Sequence, residues 1–155
     1  MDREELRRIL AEIRFCPELS DHALAALAGC VRVESFSQGA TIFEEGARQP
    51  WFYLLLSGRV ALEMNAPPHG KTRILTLDAG DVLAWSALLG EGKMTTSAVA
   101  LEEVRTLAIA SHDLKSIIRQ DEQLAHLLYR EVALALSRRL TATRLQLLDL
   151  FRTSS

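Results

Sequence analysis

Five glycines, Gly39, Gly46, Gly58, Gly70 and Gly80, punctuate the middle of the chain at intervals of seven to twelve residues. Between them lie short apolar runs such as Phe52-Tyr53-Leu54-Leu55-Leu56 and Val60-Ala61-Leu62. Such runs are too short for a stable helix, and a turn at each end sends the next run back beside the last. Residues 31–110 are therefore expected to be short strands of a sandwich, jelly roll or barrel. Val60, Leu62 and Met64 alternate with Ala61 and Glu63, the period of a half-buried strand. Ala66-Pro67-Pro68-His69-Gly70 reads as a loop, because two prolines cannot sit in a central strand. Arg73-Ile74-Leu75-Thr76-Leu77 resumes the sheet, and Val104 to Ile109 reads as its last strand.

Helical segments flank this block. Over residues 2–30, Leu6, Ile9, Leu10 and Ile13 recur at helical spacing. Cys16-Pro17-Glu18 interrupts them, and Ser20-Asp21 signals the start of a second helix carrying Leu24, Leu27 and Ala28. Over residues 111–152, Ser111 is expected to cap a short helix with Leu114, Ile117 and Ile118. Asp121 is expected to cap a long one reaching about Phe151, with no Gly or Pro inside. At 1.5 Å per residue that helix is about 45 Å long. Leu124, Leu127, Leu128 and Val132 suit the face that covers the β block. Further along, Ala133, Leu136, Leu140, Thr143, Leu147 and Leu150 follow a 3-4-3-4-3 spacing, the seam of a coiled coil. The architecture expected is α+β, mainly β: a double-stranded β-helix or jelly roll (β-roll) between N-terminal helices and a long C-terminal helix, in one domain over 1–155.

At 155 residues the chain can bury a core without disulfides or metal. Its formal charge of −2 and pI near 6.1 give no bulk pull toward nucleic acid or anionic membrane. Cys16 and Cys30 are too far apart for a C-x-x-C site and read as reduced thiols. Met1-Asp2-Arg3-Glu4-Glu5 is no signal peptide, and no apolar run is long enough to span a membrane. A cytoplasmic location is expected.

Several motifs resemble the cyclic-nucleotide-binding domain of the catabolite activator protein (Crp/Fnr-like) family. Gly39-Ala40-Thr41-Ile42-Phe43-Glu44-Glu45-Gly46 is similar to the family's G-x-x-[IL]-[FY]-x-x-G hairpin. Phe52 to Val60 is similar to its [FY]-x-[VIL]-x-x-G-x-[VIL] strand pair. Gly80-Asp81-Val82 opens a stretch similar to its phosphate-binding cassette, and Ser137-Arg138-Arg139-Leu140 resembles part of its dimerisation helix. The likeness runs from about residue 9 to 152. It implies a non-catalytic regulatory or sensory domain, a homodimer, and a cyclic nucleotide or related anion as ligand.

The cassette departs from the family pattern where that pattern carries charge. Aligned without a gap, the family's Gly-Glu pair falls on Ala84-Trp85, its small residue on Ala87, and its Arg-Ser pair on Thr95-Thr96. Trp85 thus stands where the resemblance implies a ribose-binding acid, and Thr95 where it implies the phosphate-binding arginine. Lys93 is the sole cation between Gly80 and Leu101 and does not match that arginine's place. A hydrogen bond to a charged group is worth about 1.5–3 kcal/mol, so cyclic AMP is expected to bind weakly. Candidate ligand contacts are Ala84, Trp85, Ser86, Ala87, Thr95, Thr96 and Thr143. The last is implied by a Thr-Ser pair on the family's long helix, which here reads Thr143-Arg144. Thr143 equally suits a register-setting polar residue within the seam. The candidate dimer interface is Leu136, Leu140, Thr143, Leu147 and Leu150.

Other chemistries find little footing. His22, His69, His112 and His126 fall on a helix, a loop, a helix start and a helix, with no H-x-H, so no metal site is expected. No G-x-S-x-G surrounds Ser86. Glu44-Glu45, Glu102-Glu103 and Asp121-Glu122 read as solvated turns. Gly90-Glu91-Gly92 is either a plain turn or a flap over the pocket, and Trp51 reads as a packing anchor. Arg138, Arg139, Arg144 and Arg152 are spread around a helix with Asp149 and form no reading head, so specific DNA binding is not expected. The family's transcription factors continue into a helix-turn-helix that this chain lacks, which points to a stand-alone domain and a protein partner. Two roles follow. One is a sensor that signals through its C-terminal helix from a degenerate cassette. The other is an interaction subunit or scaffold of a larger enzyme complex that binds no nucleotide. The Trp85-Ser86-Ala87-Leu88 run resembles short domains associated with redox complexes, which implies the second.

Overall fold

A computed structural model describes residues 1–12, 19–89 and 92–153. Among the described residues, eight strands form two antiparallel four-stranded sheets. In chain order the strands are β1 (Val31–Phe36), β2 (Thr41–Phe43), β3 (Trp51–Ser57), β4 (Val60–Asn65), β5 (Lys71–Leu77), β6 (Val82–Leu83), β7 (Ser97–Ala100) and β8 (Val104–Ala110). One sheet runs β1-β8-β3-β6 and the other β2-β7-β4-β5. Helices α1 (Arg3–Glu12) and α2 (Asp21–Ala28) precede them, and α3 (Ser111–Gln120) and α4 (Glu122–Thr153) follow. This is the β-roll with flanking helices that the sequence led us to expect.

The glycine rhythm marks the turns. Gly39, Gly46, Gly58, Gly70 and Gly80 all have positive φ, the region that L side chains avoid. Gly58, at the β3–β4 turn, is the most constrained. A Cβ there would press on the Glu103 carbonyl and lie 2.9 Å from Val104 Cγ2.

Strand β3 shows how the layers stack. Phe52, Leu54 and Leu56 join the cluster that also holds Leu6, Leu24, Leu114 and Leu124 from the helices. Tyr53 and Leu55, between them, join the cluster of Val60, Leu62, Leu83 and Val104 inside the roll. Both faces are covered, so the strand is a continuous apolar run. The alternation expected on β4 holds less well. Ala61 is as buried as Val60 and Leu62, and the pairing with β5 shifts register between Leu62 and Glu63. Such a shift breaks the simple two-residue period.

The helix starts differ in one respect from expectation. Ser20 Oγ accepts the Ala23 amide at 3.1 Å, and Asp121 Oδ1 accepts the Leu124 amide at 3.0 Å, both as N-caps do. Ser111 is not a cap. The cap position is Ala110, whose backbone is extended and which makes no side-chain cap bond. Strand β8 runs straight into α3, and the Ser111 amide donates instead to the Pro50 carbonyl at 2.7 Å. The expected Ile13 contact, the Cys16-Pro17-Glu18 break and most of the Gly90-Glu91-Gly92 turn lie outside the described residues. Cys30 is half-buried, and burial, with Asp113 adding to it, pushes its thiol up. It is therefore a weak nucleophile. No helix is long and apolar enough to cross a membrane among the described residues.

Candidate functional site

The Gly80-Asp81 turn is pinned to the roll from both sides. The Gly80 amide donates to the Leu55 carbonyl at 2.8 Å, and the Leu55 amide donates to the Asp81 carbonyl at 2.9 Å. The Asp81 carboxylate accepts the Asp78 amide at 2.8 Å. After the two residues of β6, Ala84 turns left-handed at φ 59° and ψ 38°, a conformation that costs an alanine about 1–2 kcal/mol. That reversal starts a single 3₁₀ turn over Trp85–Ala87. Ala84, Ser86 and Ala87 are buried and Trp85 is half-exposed.

A cavity opens beside this turn. Its walls include Phe43, Leu62, Leu75, Leu83 and Met94, with Ala84, Trp85, Ser86, Thr95 and Thr96 from the cassette. Five of the expected ligand contacts are thus brought together. Ala87 is buried but does not line the cavity. Thr143 is exposed, and its hydroxyl donates to the Arg139 carbonyl one helical turn back, at 2.8 Å. The free space is about 20 Å³, room for one or two waters and well below the ~300–1,000 Å³ of sites that enclose small molecules. A more open groove of about 470 Å³ lies between the β4–β5 hairpin and the end of α4, by Met64, Ile74 and Leu150. It has none of the cassette's backbone geometry.

What closes the cassette cavity is α4. Ala135 and Arg139 complete its lining. Arg139 Nη1 donates to Thr95 Oγ1 at 2.6 Å and Nη2 to the Thr95 carbonyl at 3.5 Å. The Arg139 guanidinium carbon lies 5.8 Å from the centre of the Trp85 ring, within cation–π range. Burial lowers the Arg139 pKa, with the Glu45 carboxylate acting against that shift. Next along the helix, Arg138 Nη1 pairs with Asp81 Oδ1 at 2.8 Å. Asp81 therefore both staples the cassette turn and anchors the helix. Two turns further on, Gln146 Nε2 donates to the Arg73 carbonyl.

The sequence reading did not assign these arginines to the cassette. Thr95 and Arg139 are 44 residues apart, and no local pattern couples them. The one available hint was a pair of adjacent arginines on a helix whose earlier part is expected to cover the β block. Among the described residues, no three His, Cys, Asp or Glu side chains come together to hold a metal ion.

The sequence model of the cyclic nucleotide-binding domain family matches residues 33–121. The chain belongs to that family. A CRP-like cAMP-activated global transcriptional regulator of Mycobacterium tuberculosis is 28% identical over 145 residues, covering 94% of this chain and 63% of the relative. The cyclic AMP receptor protein of Thermus thermophilus is 33% identical over 112 residues, covering 72% of this chain and 50% of the relative. The chain thus spans between half and two thirds of the length of these curated relatives. Among solved structures, a putative cyclic nucleotide-binding protein from Geobacter metallireducens superposes with a TM-score of 0.71 at 27% identity. That superposition covers 90% of this chain and 98% of that one.

Proposed function

We propose that the chain is a non-catalytic regulatory module that senses an anionic, nucleotide-like ligand and signals through α4 to a partner chain, in the first instance a second copy of itself. The observation that carries this reading is the direct tie between the cassette and α4. Arg139 is bonded to Thr95 and Arg138 to Asp81, so a molecule entering the cavity meets the bonds that tie the helix to the cassette. A two-state element biased by differential ligand affinity needs that coupling. The exposed Leu136, Leu140, Leu147 and Leu150 on α4 offer the surface through which a shift is read. Their spacing suits a parallel pair of helices with Thr143 at the seam.

The small cavity favours one rival: a scaffold or interaction subunit whose pocket Trp85 and Arg139 keep shut. Calorimetry with cyclic AMP, cyclic GMP and their linear monophosphates, followed by hydrogen exchange on α4, separates the two. The sensing reading expects weak binding, above micromolar for cyclic AMP, together with altered exchange over residues 136–150. A nucleotide that binds without moving α4 exchange removes the relay. No binding by any of the four leaves the scaffold.

A further inference from the structure

Among the described residues, Arg139 is the one charged side chain that lines the cassette cavity. Among the described residues no carboxylate pairs with it at close range, although Glu45 acts on it from further off. Arg7 pairs with Asp21, Arg32 with Glu34, Arg59 with Asp78 and Arg138 with Asp81. Arg139 instead bonds to a neutral hydroxyl and a neutral carbonyl, both of Thr95. A guanidinium carries five N–H donors in a planar fork that suits a carboxylate or phosphate. Beside it the lining includes the polar Ser86 and Thr96 together with the apolar Phe43, Leu62 and Met94. The polar set matches the oxygens of a phosphate ester, and the apolar set matches a flat or hydrocarbon remainder.

We propose that Arg139 is the anion-binding residue of this pocket, contributed by α4 rather than by the cassette, and that Thr95 holds it until a phosphate ester takes its place. This rests on the reading that the cavity accepts a ligand. Charge-assisted bonds are roughly twice as strong as neutral ones, so Thr95 is a weak competitor that an anion can displace. The apolar wall lowers the local dielectric and strengthens the pairing further. Because the cation sits on α4, capture of the anion changes a bond that ties the helix to the cassette.

The test uses the intact chain, calorimetry, and two probes that differ in charge: cyclic AMP and adenosine. The wild type is expected to bind cyclic AMP at least roughly tenfold more tightly than adenosine, as one charge-assisted contact implies. Arg139→Gln should remove that preference. Arg139→Lys should keep part of it, since the charge remains but the fork is lost. Thr95→Val, which frees the guanidinium from its internal acceptor, should tighten cyclic AMP binding about threefold or more. Arg130→Gln serves as the control, for it removes an exposed cation of the same helix that does not line the pocket, and the preference should survive. Circular dichroism melts establish that each variant is folded. If cyclic AMP and adenosine bind the wild type alike, or if Arg139→Gln keeps the preference, the assignment of Arg139 falls while ligand binding stands. If neither probe binds the wild type or Thr95→Val at millimolar concentration, the ligand reading itself fails and takes the assignment with it.

Discussion

Between Glu122 and Val132, α4 sinks Leu124, Leu128 and Val132 into the cluster shared with α1, α2 and α3. Between Leu136 and Leu150 the same helix leaves Leu136, Leu140, Leu145, Leu147, Leu148 and Leu150 exposed. There it meets the roll through Arg138, Arg139 and Gln146. The first part is held by dry apolar burial, worth about 1.5–3 kcal/mol for each large side chain. The second is held by polar contacts, each worth roughly 1 kcal/mol or less once solvent is counted. Helical propensity does not separate the two parts, since both are rich in Leu and free of Gly and Pro. Their partners do. A segment held by apolar burial stays put, whereas one held by a few hydrogen bonds can be released by a ligand of ordinary affinity.

The largest test of this contrast is Leu128→Ala. Leu128 is 4% exposed, and its truncation should cost on the order of 2–5 kcal/mol in urea unfolding. Leu145→Ala, at 58% exposure, should stay within about 0.5 kcal/mol. Similar losses at both sites would erase the distinction between the two parts.

Leu140→Asp comes next, and it probes the proposed dimer rather than the folded chain. Burying an unpaired carboxylate in an apolar seam costs well over ~2 kcal/mol, so the dimer should weaken at least roughly a hundredfold with circular dichroism unchanged. Sedimentation velocity reads it. A wild type that already sediments as a monomer would assign the leucine row to a different partner.

Arg138→Gln should cost only about 0.5–1 kcal/mol, because Arg138 is half-exposed and its pair with Asp81 is partly screened. The difference from wild type should shrink in high salt. A loss of several kcal/mol would show that the distal part is locked, not latched.

The smallest effect is expected on the roll side of the contact. Ala84→Gly relieves the left-handed strain but removes a methyl group that is 5% exposed. The two nearly cancel, leaving a net change within about 1 kcal/mol in thermal or urea melts. A larger loss would mean that the methyl group props Trp85 against α4.

The residues explain which features were legible beforehand. The glycine turns, the Ser20 and Asp121 caps and the covered face of α4, Leu127 apart, are written in signals a few residues wide, and each was readable. The Ser111 start was misplaced because a serine before a helical pattern resembles a cap, while the true boundary is set by β8 pairing up to Ala110. The Trp85 and Thr95 departures were visible as missing charge. The Arg139–Thr95 contact was not, because the β-roll brings the two together across a separation that no sequence period records.

Asp121 is the single residue between α3 and α4, with an extended backbone at φ −137° and ψ 96°. Deep burial stops at Val132, with half-buried Ala135 one turn on, so a swing of the distal arm would disturb less apolar contact than a slide of the whole helix. From Val132 the arm to Arg139 is about 10 Å and the arm to Thr153 about 32 Å, at 1.5 Å per residue. A displacement of one ångström at the arginine becomes about three at the helix end. In such a swing the gain would be set by where the apolar packing stops along α4, so moving that fulcrum by a single helical turn would rescale the displacement at the helix end.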